Sequence, residues 1–131
     1  MSISLRHLEQ GLKAAWSAAT SYDARNWSRD NAAYGQCAVT ACVVQDYLGG
    51  EIVWAEAVLP DGEKVSHFFN CLNGVEVDLT RGQFPAGTVI AAGVDYPHAQ
   101  SSRAHILAYP DTVRRYETLK HNTARALKGM A

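Results

Sequence analysis

An α+β fold with a buried helix packed on an antiparallel sheet is predicted by three observations. An apolar run, Cys37 to Leu48, stops at Gly49-Gly50; two β-like segments flank Asn73-Gly74; and amphipathic helical patterns begin and end the chain. At the start, Leu5, Leu8, Leu12, Ala15, Trp16 and Ala19 recur at three- and four-residue intervals with Arg6, Glu9, Gln10 and Lys13 between them. That spacing predicts a helix from Leu5 to about Ala19, with Trp16 in the core. Thr20 to Tyr34, rich in Asn, Asp, Ser and Arg, reads as an irregular loop suited to binding, in which Trp27 either walls a cleft or anchors the loop.

Cys37–Leu48 is apolar nearly all round and reads as a helix buried on most sides, its β-branched content leaving a strand as the alternative. Glu51–Leu59 alternates into the turn Pro60-Asp61-Gly62-Glu63, and Lys64–Leu72 continues as a strand. Asn73-Gly74 then predicts a two-residue turn into Val75–Thr80. This register sets Leu72 opposite Val75, Asn70 opposite Val77, Phe69 opposite Asp78 and His67 opposite Thr80. His67 and Asp78 become diagonal neighbours at a Cα separation of roughly 7–8 Å, near enough for imidazole to meet carboxylate. Thr88–Ala92 and Ile106–Tyr109 are further strand candidates around the polar segment Asp95–Arg103. Val113, Tyr116, Leu119, Ala124 and Leu127 describe a final helix over Thr112–Lys128, capped by Asp111 or Thr112.

Length and composition bound the function. One domain, 1–131, is expected, large enough to bury roughly two-thirds of its unfolded surface. A net charge of −1 offers no electrostatic reason for nucleic acid or an anionic membrane as partner. The start, Met-Ser-Ile-Ser-Leu-Arg-His, lacks a basic and apolar leader, so a cytoplasmic location with reduced thiols is expected. Without a secretory leader, the sequon Asn26-Trp27-Ser28 reads as accidental.

The chemistry centres on Cys37. At a helix start, partial positive charge stabilises a thiolate and lowers its pKa. A thiol nucleophile also needs a base and a group to orient that base, roles that His67 and Asp78 supply. Main-chain N–H groups at the helix start are oxyanion donors, with the side chains of Gln36 and Asn31 as further candidates. Cys42, well round the helix, reads as an inert core thiol. Cys71 shares a strand face with His67, so a zinc site of Cys37, Cys71 and His67 stands as a lesser alternative, although the spacing matches no zinc module and the favoured reading has neither metal nor cofactor. His7 and His121 read as helix-surface or packing residues. His98 and His105 flank the polar segment without an assigned role.

Tyr34-Gly35-Gln36-Cys37, followed by Val39, resembles the cysteine motif of transglutaminases, and the order Cys37, His67, Asp78 resembles the transglutaminase-like and papain-like superfamily. The longer pattern is similar to the small bacterial YunG-like proteins. It runs through Tyr34 to Ala41, Val44 to Ile52, Ser66-His67 and Asp78-Leu79-Thr80, within a span of about Trp27 to Tyr116. The resemblance implies a papain-like or transglutaminase-like core with Cys37 as nucleophile, His67 as base and Asp78 as orienting acid. Two positions depart from the pattern: Ala38 replaces the aromatic residue that follows the transglutaminase cysteine, and Asn31 stands where papain-type enzymes carry glutamine. The implied partner is an amide- or ester-bearing small molecule, peptide or protein, and protease, deamidase and acyltransferase all remain open. The alternative from a different class is a non-catalytic binding module with a closed polar pocket.

Overall fold

The computed structural model describes residues 3–130. Along the chain run α1 (Leu5–Ala15), α2 (Cys37–Leu48), β1 (Glu51–Val58), β2 (Lys64–Leu72), β3 (Val75–Val77), β4 (Val89–Ile90), α3 (Ser102–Ile106) and α4 (Pro110–Gly129). The strands form one antiparallel sheet in the order β3-β2-β1-β4. The architecture is α+β, as expected.

α2 is the centre of the molecule. Its Val39, Val43 and Val44 pack with Leu8, Leu12 and Trp16 of the N-terminal segment and Leu119 of α4, while Ala41 and Cys42 pack on Ile52, Phe68 and Ile106. Fully burying each Leu or Val contributes about 1.5–3 kcal/mol. This double burial explains why a segment rich in valine is helical: packing on both sides outweighs weak intrinsic propensity. Two buried hydrogen bonds fix its position, from the Trp16 indole to Thr40 Oγ1 at 2.9 Å and from Asn70 Nδ2 to the Ala41 carbonyl at 3.0 Å. Gly49, at φ +72°, ends it.

The hairpin register is as expected, with Leu72 opposite Val75 and Asn70 opposite Val77. Asn73 and Gly74 both have positive φ, 52° and 79°, the geometry that a tight two-residue hairpin turn requires. β3, however, ends at Val77, three residues short of the expected Thr80, so the rungs Phe69–Asp78 and His67–Thr80 do not form.

Other boundaries also differ. α1 stops at Ala15 because Trp16 turns extended and the next residues form a short 3-10 turn, Ala18–Thr20, in which the Ser17 N–H donates to Thr20 Oγ1 at 3.0 Å. The expected strand Ile106–Tyr109 is instead the end of α3 and a turn. Ser101 caps α3 by accepting from the Ala104 N–H, and Ile106 is drawn into the core beside Phe68. α4 begins at Pro110, with Tyr109 rather than Asp111 or Thr112 as the cap.

Candidate active site

His67 and Asp78 meet. The imidazole is fully buried, and its Nε2 lies 2.7 Å from Asp78 Oδ2. Phe69 stacks on the ring at 5.4 Å between centroids and Phe84 meets it edge-on at 4.9 Å, so the ring is held on two sides by aromatic neighbours. Nε2 is committed to Asp78. Nδ1, buried and without a well-aligned partner, is the nitrogen left for the Cys37 thiol.

α2 packs on the sheet face of Ile52 and Phe68, the face opposite that of His67. The part of β2 before Asn70 has no strand on its β3 side, and there the Cys37 thiol lies near enough to the His67 imidazole and the Phe68 N–H for both to act on its ionisation.

The electrostatics follow from these contacts. Burial opposes ionisation of Cys37, but the hydrogen bond and charge of His67 and the Phe68 N–H outweigh it, and the thiol pKa falls below its ordinary value. Burial likewise opposes protonation of His67, yet the Asp78 and Cys37 contacts raise its pKa to about 9. Both shifts act in the sense of a thiolate–imidazolium pair, with Nε2–H donating to Asp78. No side chain caps the first turn of α2, which leaves the N–H groups of Cys37 and Ala38 available to an anion. Cys42 lacks such partners, and burial pushes its pKa up to about 12.

Cys37 opens onto a cleft of about 810 Å³, walled by Tyr34, Phe68, Phe84 and His105 and edged by the exposed Tyr22 and Tyr109. Of the other residues expected at the site, Asn31 lines this cleft and donates Nδ2 to the Gln83 carbonyl at 3.2 Å. Gln36 does not reach the cleft. It is fully buried, accepts from the Thr20 hydroxyl at 2.8 Å and donates to the Ser17 carbonyl at 3.0 Å. Trp27 is not among the lining residues: its indole donates to Ala32 O at 2.9 Å, so it anchors its own loop. Among the described residues no group of three or more His, Cys, Asp or Glu side chains is arranged to hold a metal ion. Cys71 packs instead beside Val53, Ala55 and Phe69.

Gln83 and Thr80 are the residues beside the candidate site that sequence reasoning missed. Gln83 Oε1 accepts from the Gly35 N–H at 3.3 Å and its Nε2 donates to Thr80 Oγ1 at 3.1 Å. Thr80 in turn lies 3.5 Å from Asp78 Oδ1. The segment two residues before the cysteine is thus tied to the acid that orients the histidine. The signal was the turn Arg81-Gly82-Gln83-Phe84-Pro85 directly after Asp78-Leu79-Thr80.

Among the described residues no helix is long and apolar enough to cross a membrane. No solved structure matches the chain significantly. It is similar to a Bacillus subtilis (strain 168) protein described as uncharacterized protein YunG, with 32% identity over 128 residues, 97% of each chain. The family model described as YunG protein matches residues 4–128, and the chain therefore belongs to the YunG family.

Proposed function

We propose that this protein is a cysteine-dependent enzyme of cytoplasmic location that acts on an amide or ester carbonyl, on a core of papain-like or transglutaminase-like type. The observation that carries the reading is the coupling of Cys37 to a buried His67, itself held by Asp78 at 2.7 Å, at the wall of an open cleft. In this reaction Cys37 Sγ attacks the carbonyl carbon, and the negative charge moves to the carbonyl oxygen beside the N–H groups at the start of α2. The imidazolium of His67 donates its Nδ1 proton to the leaving amine or alkoxide as the carbon–heteroatom bond breaks, leaving a thioester on Cys37. Neutral His67 then takes a proton from water or an acceptor amine, which attacks the thioester and releases the thiolate. The choice of water or amine separates hydrolysis from acyl transfer.

The test is the pH dependence of iodoacetamide labelling at Cys37, read by mass spectrometry in wild type, His67→Ala and Asp78→Asn. A thiolate that titrates below the ordinary thiol range in wild type and moves upward in His67→Ala supports the reading. If Cys37 resists labelling, or labels as a free thiol does in all three proteins, the enzyme reading is lost. The same fold then serves as a binding module with its polar residues closed on one another.

A further inference from the structure

Arg115 is 5% exposed, yet it lines the same cleft as Cys37. Its Nε donates to Asp111 Oδ2 at 3.2 Å and its Nη2 to Thr112 Oγ1 at 3.1 Å, while Nη1 makes no hydrogen bond within the described protein. Nor is Nη1 among the buried unpartnered atoms, so it keeps access to solvent. Asp111 does not cancel the charge: it is 69% exposed and shared with Arg114 at 2.7 Å, two guanidinium groups on one carboxylate. The Tyr22 ring lies 5.7 Å from the Arg115 guanidinium, and the Tyr22 N–H donates to the Gly35 carbonyl at 2.8 Å. Arg115 is therefore linked through one residue to the segment that carries Cys37.

The other charges lining the cleft are Asp23, Glu63 and Lys64. Asp23 is engaged by the Tyr34 hydroxyl at 2.9 Å and by Asn26 at 2.8 Å. A guanidinium almost wholly removed from water, in the lining of a cleft and with one amino group unused and still accessible, is suited to accept a partner of opposite charge.

We propose that Arg115 is the specificity-determining residue of this cleft and that the ligand bears an oxyanionic group, carboxylate or phosphate, which Nη1 receives while the Tyr22 ring shields the contact. In substrate terms this rests on the thiol-enzyme reading: the amide or ester that reacts at Cys37 is anionic at a second point along the cleft. Ligand binding itself does not depend on that reading.

Two measurements test it. Labelling of Cys37 by 4-maleimidobutyrate is compared with that by N-ethylmaleimide, with glutathione as the free-thiol reference, in wild type, Arg115→Gln and Arg115→Lys. Thermal stabilisation by succinate and by inorganic phosphate is followed in the same proteins at constant ionic strength. Wild type is expected to favour the anionic maleimide about ten- to hundredfold relative to glutathione, the range of one charge-assisted hydrogen bond. Arg115→Gln is expected to lose both that preference and the stabilisation, and Arg115→Lys to lose part of each. Stabilisation by succinate alone or by phosphate alone identifies the group. Equal preference in wild type and Arg115→Gln, with neither anion stabilising wild type, overturns the proposal even when Cys37 reacts as a thiolate. If Cys37 reacts with neither maleimide, the thiol-enzyme reading fails and the anion titration alone decides this one. Should Arg115→Gln not fold, an unchanged preference and stabilisation in Arg115→Lys overturns it.

Discussion

His67 Nε2 stands 2.7 Å from Asp78 Oδ2, in a contact made just past the last rung of the β2–β3 ladder, which ends where Asn70 faces Val77. Asp78 is free to turn its carboxylate toward the imidazole because its backbone has left the sheet. The Thr80 hydroxyl and Gln83 then support the carboxylate from the other side.

The pH profile follows from this pair. If Cys37 is the nucleophile proposed above, it is protonated below its lowered pKa, and above about 9 His67 loses the proton that a leaving group would take. A bell-shaped kcat/KM is expected, with its alkaline limb near 9; both limbs belong to the coupled pair. In Asp78→Asn the alkaline limb moves down toward the ordinary histidine value of 6.5, because the Asp78 hydrogen bond is what chiefly raises it. The stability linkage has the same sign: the contribution of His67 is complete below 6.5 and is lost as pH rises through about 9. Rate profiles and denaturant titrations of the two proteins check both statements.

Thiol chemistry is expected to reside in Cys37 alone. Cys37→Ala lowers activity on the order of 10⁴-fold or more, as removal of a nucleophile does. Cys42→Ala, at a fully buried position whose thiol pKa is pushed up to about 12, leaves Cys37 labelling unchanged and costs about 1–2 kcal/mol of stability. Labelling kinetics and urea unfolding separate the two effects.

Gln36 is expected to act on stability rather than on chemistry. Its amide joins Ser17 and Thr20 to the start of α2 through two hydrogen bonds. Gln36→Ala removes both and leaves a small cavity, a loss of about 2–4 kcal/mol in unfolding free energy. The pH midpoint of Cys37 labelling stays within a few tenths of the wild-type value. A large shift in that midpoint with little loss of stability would return Gln36 to the site.

Gly35 has φ +72°, and an added Cβ would come within 2.9 Å of the Tyr22 main-chain nitrogen. Gly35→Ala is expected to cost about 1–3 kcal/mol through backbone strain alone. It also displaces Tyr22 and slackens the start of α2, so Cys37 labelling slows. Chemical denaturation and labelling together measure this, and an unperturbed variant would show that the segment is not held as described.

Much of the site was legible because it depends on local rules. Asn73-Gly74 can form a tight turn with both residues at positive φ, and that turn carries the register that sets His67 near Asp78. Gly49-Gly50 and the apolar run before it delimit α2 at the bounds expected, Cys37 and Leu48. The strand predicted at Ile106–Tyr109 shows where such rules stop: its apolar residues suited either structure, and only the Ser101 cap and the packing of Ile106 beside Phe68 chose helix. Gln36 shows the same limit, since a glutamine next to a cysteine has the same local sequence whether its amide points into a cleft or into the core.

From the sequence alone come the class of the fold, the register of one hairpin and the candidate thiol, imidazole and carboxylate, because turn chemistry and periodicity act over a few residues. Tertiary structure alone decided that α2 packs on the face opposite His67 and that Cys37 comes within reach of the His67 imidazole and the Phe68 N–H. It also decided that Gln83 ties Gly35 to Thr80 and that Arg115 lines the cleft. Each of these depends on where β3 stops and on which surfaces close over the sheet, and that is set by the packing of segments far apart in the chain.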